Sequence, residues 1–193
     1  MANLNIQGKV LTPASGEAYT TALTRLSELS QLPAGYIVQP SNYADVAAAV
    51  KFAQAQSPPF EIAVKGGGAH SATWASSSGG VVIDLGTLRH VAVAPDRQSI
   101  VVQGGALWGD VYEVTAKEGL DVAGGSLWFV GVGGLRPAVV VLADGRIVKT
   151  SKDEEPDLFW AIRGGSGKFG VVVEFVFKLQ GLSISGSQSS TTP

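Results

Sequence analysis

The segment with the clearest chemical potential is Ile62-Ala63-Val64-Lys65-Gly66-Gly67-Gly68-Ala69-His70-Ser71, an apolar run that opens into three glycines, then a histidine and a serine. Glycines at a strand end let the backbone approach a bulky ligand and turn amide donors toward it. A run of such donors binds an anion such as a phosphate. The imidazole of His70 adds a reactive or anchoring group beside them.

Two further glycine runs follow, Val130-Gly131-Val132-Gly133-Gly134 and Arg163-Gly164-Gly165-Ser166-Gly167. Neither fits a dinucleotide or nucleotide fingerprint. In the first, the third glycine of a Rossmann motif would fall on Arg136, and no helical pattern comes after it. In the second, the leading P-loop glycine would fall on Ile162, and Phe169 stands where Ser or Thr is needed to meet a magnesium ion. Any one run taken alone is better read as a turn, the default use of glycine. Three runs at strand and helix edges favour a cofactor cradle. His70 alone reads as an ordinary loop or core histidine, and His90 as a structural residue at a strand edge. Two histidines on separate elements and no cysteine make no metal site. No Ser-His-Asp arrangement is visible, and Asp84 reads as a strand-end turn residue. Trp74, Trp108, Trp128 and Trp160 read as packing residues.

The elements that must position these residues are legible from pattern. Residues 1–13 read as a flexible lead-in. A helix is expected from about Ser15 to Ser30 with Leu23, Leu26 and Leu29 inward, stopped by Pro33. Tyr36-Ile37-Val38 reads as a strand. Ser41 is placed to cap a helix with Asp45 in its first turn, and Val46, Ala49, Val50 and Ala53 give that helix one apolar face. With the strand at Glu61 to Lys65, the order strand, helix, strand suits a parallel βαβ unit. Val81 to Leu85, His90 to Val93 and Ser99 to Gln103 are expected strands, the last two joined by a turn at Ala94-Pro95-Asp96-Arg97. A helix with Leu107, Val111 and Val114 on one face ends near Gly119. Ala138 to Leu142 and Arg146 to Thr150 read as a hairpin, and a short helix runs from Pro156 to Ile162. In the strand Val171 to Leu179, alternation turns Val171, Val173, Phe175, Phe177 and Leu179 to one side.

The chain has 193 residues, 45% hydrophobic and 16% charged, which is enough to bury a core and too apolar for disorder over most of its length. A net charge of -2 with no basic stripe argues against nucleic acid. No run is long enough to span a bilayer and Met1 to Pro13 lacks an apolar signal core, so no membrane partner is expected and a cytoplasmic location is the default. Having no cysteine, the chain has no disulfide and no thioether link to a cofactor.

Seven segments in fixed order then carry a family resemblance. They are Lys65-Gly66-Gly67-Gly68 with the following His-Ser, Gly79 to Leu85, Val101 to Trp108, Val130 to Leu135, Val141 to Gly145, Asp157 to Gly164, and Phe169 to Val172. Together they resemble the FAD-binding domain of berberine-bridge-enzyme-like oxidoreductases, in the vanillyl-alcohol-oxidase/p-cresol-methylhydroxylase superfamily. The resemblance implies an α+β, two-lobed PCMH-type FAD-binding domain: a small parallel βαβ lobe, and a mixed or antiparallel sheet lobe flanked by helices. It implies a lead-in and helix over 1–31, the FAD-binding domain over 32–180 and a disordered Ser/Thr/Gly tail over 181–193, with the family's substrate domain absent.

By that resemblance FAD is the cofactor. Lys65, Gly66, Gly67, Gly68, Ala69, His70 and Ser71 would wrap its diphosphate. Gly131, Val132, Gly133 and Gly134 would lie along it, and Gly170, Val171 and Val172 would meet it near the adenine end. His70 is the candidate for covalent flavin attachment. The implied reaction is hydride transfer from a small organic substrate to flavin, with molecular oxygen as acceptor and no catalytic base assigned in this chain. The alternative is a non-catalytic flavin-domain relic or interaction module. Three departures stand out. Ala69 separates the glycines from His70, Trp128 and Phe129 occupy the region where some members carry a cysteine, and Arg136-Pro137 replaces a segment of roughly twenty further residues, well beyond ordinary loop lengths.

Overall fold

The computed structural model describes residues 4–69, 73–133 and 137–181. The expected disordered tail lies outside the described residues apart from Gly181, which is the last residue of a strand. Two sheets make up the fold. The first has strands β1 (Lys9–Leu11), β2 (Tyr36–Gln39), β3 (Ile62–Lys65) and β4 (Val81–Asp84), in the order β1-β2-β4-β3. β2 and β3 both run parallel to β4, and β1 adds an antiparallel edge. The second sheet has strands β5 (Val91–Val93), β6 (Ser99–Gln103), β7 (Leu120–Val122), β8 (Ala138–Val141), β9 (Ile147–Thr150) and β10 (Val171–Gly181). Its order is β5-β6-β10-β8-β9, all antiparallel, and β7 pairs the far end of β10.

The two sheets share a core through helix α2 (Tyr43–Gln54). The residues Val46, Ala49, Val50 and Ala53 recur with helical spacing and are all buried, as their pattern requires. They pack against Val38, Val81 and Ile83 of the first sheet and Val139, Val141, Val171 and Val173 of the second. Each such buried valine contributes about 1.5–3 kcal/mol relative to exposure. The helix begins at Asn42 rather than Ser41: the Asn42 side chain accepts from the Asp45 amide, while the Ser41 hydroxyl donates to the Asp45 carboxylate. A second cluster is built on Ile100, Val102, Val111, Val140, Phe175 and Phe177 and is roofed by α3 (Trp108–Lys117). Gly119, at φ +64°, ends α3 as expected.

Several expectations need correction. The lead-in is not structureless, because Lys9, Val10 and Leu11 pair with Gln39, Val38 and Ile37. The first helix is short: α1 spans Glu17–Leu23, and Thr24 is already extended at ψ 133°. Beyond it Leu26 and Leu29 are 70% and 81% exposed, not inward. The chain leaves the helix there because the Arg25 side chain takes the carbonyls that a further turn would have used. Of the four tryptophans only Trp108 is core; Trp74, Trp128 and Trp160 are exposed. The hairpin β8–β9, the helix α4 (Pro156–Ile162) and the buried face of β10 follow the sequence pattern, with Val171, Val173, Phe175 and Phe177 all inside.

Candidate functional site

The seam between the sheets is made of glycines. Leaving β3, the chain passes Gly66 and Gly67, and Gly67 lies directly against Gly131. A β-carbon on Gly67 would sit 2.7 Å from both the nitrogen and the α-carbon of Gly131 and 2.6 Å from Leu107 Cδ2. An isolated antiparallel bridge joins Leu107 to Gly131, and the Val132 amide donates to the Ala106 carbonyl at 3.1 Å. The first two glycine runs therefore meet, backbone to backbone, beside the start of α3.

Gly104-Gly105, which sequence reasoning took only as a lead into α3, completes the seam. The Gly104 amide donates to the Val173 carbonyl at 2.8 Å, and the Gly105 amide to the Leu88 carbonyl at 2.9 Å. A β-carbon on Gly104 would fall 2.7 Å from the Val172 carbonyl oxygen, and one on Gly66 would fall 3.4 Å from the Gly104 carbonyl oxygen. The end of β3, the end of β6 and the start of β10 thus lie side by side. Gly170 approaches the Val141 carbonyl at φ +146°, a conformation suited to glycine. The third glycine run does not join this seam. Gly165 packs on the Phe169 ring and the Ala161 carbonyl, closing the turn after α4.

Of the fourteen residues expected to hold a cofactor, His70, Ser71 and Gly134 lie outside the described residues. Gly66, Gly67, Gly131, Val132 and Gly170 lie on the seam, with the Val172 carbonyl against Gly104, while the Lys65 side chain turns away to Asp84. Among the described residues, a side chain on Gly133 would meet nothing within 4 Å, and one on Gly68 only Lys65 Cε at 3.5 Å. Among the described residues the amides of Gly68 and Gly133 donate to no protein acceptor. Open backbone with free donors on both runs is what a negatively charged diphosphate requires.

Beside the loop sits a half-buried ionic cluster. The Lys65 ammonium donates to Asp84 Oδ2 at 3.2 Å and to the Ala22 carbonyl at 3.1 Å, so it is engaged inside the protein. Asp84, at the end of the neighbouring parallel strand, also accepts from the Gly86 amide and from Gln39 Nε2. Its expected turn role holds, and the ion pair is additional. The signal for it was present: β3 and β4 are adjacent apolar strands that end in opposite charges at matched register, Lys65 beside Asp84. Arg25 carries no local signal, because the Leu23, Leu26, Leu29 spacing reads as a helix with Arg25 in its middle. A hollow of ≈ 550 Å³ opens at this cluster, lined by Lys65 and Asp84 themselves with Lys9, Glu17 and Gln39 among others.

A family model described as an FAD binding domain matches residues 34–138, the span that holds the βαβ unit, both meeting glycine runs and α3. The chain belongs to this FAD-binding domain family. Among curated relatives, the FAD-linked oxidoreductase pgmH of Aspergillus terreus is 37% identical over 188 residues, covering 91% of this chain and 38% of its own length. Among solved structures, 6-hydroxy-D-nicotine oxidase from Arthrobacter nicotinovorans superposes with a TM-score of 0.86 at 28% identity, covering 93% of this chain and 44% of that one. A glucooligosaccharide oxidase from Acremonium strictum, whose FAD is described as 6-S-cysteinyl and 8α-N1-histidyl, superposes at 0.79 with 27% identity, covering 90% and 41%. The chain thus spans about two fifths of the length of the relatives it matches. FAD is the family's cofactor, and the expected two-lobed α+β FAD-binding domain is the fold observed. Among the described residues no helix is long and apolar enough to cross a membrane.

Proposed function

We propose that this chain is the cofactor-holding part of an FAD-linked oxidoreductase that oxidises a small organic substrate, with oxygen as electron acceptor. The observation that carries the reading is the meeting of Gly67 with Gly131, which places open amides of two glycine runs on one seam. Bound FAD would supply the hydride-accepting chemistry, and the protein supplies binding, orientation and electrostatics. Lys65, Gly66, Gly67, Gly68, Ala69, His70 and Ser71 surround the diphosphate in this reading. Gly131, Val132, Gly133 and Gly134 line the cofactor's length, and Gly170, Val171 and Val172 bound its adenine end by backbone. His70 is the proposed attachment point for the flavin. Residues 32–180 form the FAD-binding domain, preceded by the strand and short helix of 1–31.

The purified chain is expected to be yellow, with a flavin absorption spectrum. Colourless protein that takes up no FAD on reconstitution would overturn the reading. A second reading, a flavin-binding module without turnover of its own, draws support from the short Arg136-Pro137 link ahead of β8. Oxygen uptake over a panel of alcohols and sugars separates the two: a yellow chain that consumes oxygen with one of them is catalytic, and a yellow chain that never does is the module.

A further inference from the structure

Arg25 is 5% exposed and, among the described residues, has no carboxylate in hydrogen-bond contact. Its Nη1 donates to the carbonyls of Ala22, Leu23 and Thr24 at 3.1, 2.9 and 3.1 Å, and its Nη2 to the Ala75 carbonyl at 3.3 Å. Nε is buried and has no hydrogen-bond partner among the described residues. The guanidinium therefore joins the end of α1 to the segment that returns from the glycine loop. The next residue extends the tie, because the Leu26 amide donates to the Gly68 carbonyl at 3.1 Å. Arg25 and Lys65 also meet at one atom, since both donate to the Ala22 carbonyl oxygen. Asp84 is the anion they share: it pairs with Lys65 directly and acts on Arg25 through space.

Arg25, buried, and Lys65, whose side chain is 16% exposed, share one carboxylate, which leaves one positive charge in surplus. A surplus charge held away from water is costly unless something compensates it. We infer that Arg25 is a positioning residue for the cofactor's diphosphate, pinning the glycine loop to α1 and, with Lys65, giving the loop a net positive backing that the diphosphate neutralises. This rests on the cofactor site proposed above. Arginine suits the task because its fork holds several carbonyls at once while keeping its charge.

The test uses the chain carrying H70A, so that FAD binding is reversible, and measures FAD affinity across a series of potassium chloride concentrations. R25Q removes both the charge and part of the fork. It is expected to weaken FAD about ten-fold and to flatten the salt dependence. R25K keeps the charge but not the fork, so it lowers the melting temperature of the FAD-free chain while retaining the salt dependence. D84N keeps the oxygen that receives the Gly86 amide and removes the compensating charge. It is expected to lower the melting temperature of the FAD-free chain and yet bind FAD about three-fold or more tighter, an opposite sign that general damage does not produce. Equal salt dependence in R25Q and its parent would overturn the inference, as would FAD binding in D84N that is unchanged or weaker. Should R25Q fail to fold, the sign in D84N decides alone. If the H70A parent binds no FAD at all, the cofactor site itself is wrong and this inference falls with it; a parent that binds while the variants misbehave as described sinks the inference only.

Discussion

Gly67 and Gly131 lie so close that a β-carbon on the first would overlap the backbone of the second, at 2.7 Å from both its nitrogen and its α-carbon. The glycines on this seam thus do two jobs. Gly67 and Gly131 let two chain segments cross, while Gly68 and Gly133 leave backbone open.

The two roles are separable by mutation. Gly67→Ala forces the crossing apart, because the obstructing atoms are backbone and cannot swing away. It is expected to cost about 1–3 kcal/mol, the usual range for overpacking, and to reduce FAD uptake. Gly133→Ala meets no atom of the described residues within 4 Å, so its stability is expected to stay within about 0.5 kcal/mol of the parent. Urea unfolding midpoints with unchanged slopes check the first quantity, and FAD titration the second. Equal midpoints for the two variants would contradict the assignment.

The lobes are also tied by a polar bridge. The Tyr43 hydroxyl, on the first turn of α2, donates to Glu174 Oε2 of β10 at 2.7 Å and accepts from Gln103 Nε2 of β6 at 3.3 Å. Burial, followed by the hydrogen bond to Glu174, pushes the Tyr43 phenol up to about 12 from its ordinary 10.0. A group whose folded value is raised stabilises the fold in its protonated form. That contribution is whole below pH 10 and is lost as pH rises toward 12. Tyr43→Phe is expected to cost about 1–2 kcal/mol at neutral pH by stripping Glu174 of its donor. It should also remove this part of the alkaline slope. The check is the difference in melting temperature between parent and Y43F from pH 8 to about 12; a constant difference across that window would refute it.

Much of this architecture was legible because its elements carry periodic patterns. The apolar face of α2 repeats at i, i+3, i+4 and i+7, and β10 alternates, so both were read correctly. What escaped lacked a local signal. β1 and β7 are three residues each and owe their form to pairing with β2 and β10, not to their own composition. Leu23, Leu26 and Leu29 sit three apart and mimic a helix face, yet Arg25 ends the helix by taking its last carbonyls. The glycine runs were legible as a site, but the partner of each was not. That Gly67 faces Gly131, or that Gly104 lies between Val172 and Gly66, follows from the topology of two sheets and from no spacing in the chain.

His70 yields a prediction independent of stability. If its imidazole holds the flavin, acid precipitation of the native chain leaves the yellow colour in the pellet. The same treatment of His70→Ala releases it into the supernatant, read as absorbance of each fraction. Soluble colour from both proteins would assign His70 to another role and leave non-covalent binding untouched.

Asp45 anchors the N-terminal segment, and its charge state sets an acid limit on the fold. Its carboxylate accepts from the amides of Gln7, Gly8 and Ser41 at 3.0, 2.9 and 2.9 Å and from the Ser41 hydroxyl at 2.9 Å. Burial alone would raise its pKa, but these four donors outweigh burial and hold the group below the ordinary carboxylate value. A lowered folded value means that the ionised form stabilises the fold. The contribution is whole above the unfolded pKa, near 3.8, and is lost as pH falls through the lower folded value. Asp45→Ala removes the acceptor for three backbone donors and is expected to cost about 2–3 kcal/mol, the upper range for bonds to a charged group. Asp45→Asn keeps one acceptor oxygen and should cost less. Both variants should lose the acid dependence that Asp45 contributes, so their stability gap to the parent narrows below about pH 4. Urea midpoints at pH 7 and pH 3 measure this; a gap equally wide at both would mean that hydrogen-bond geometry alone, and not charge, fastens β1 to α2.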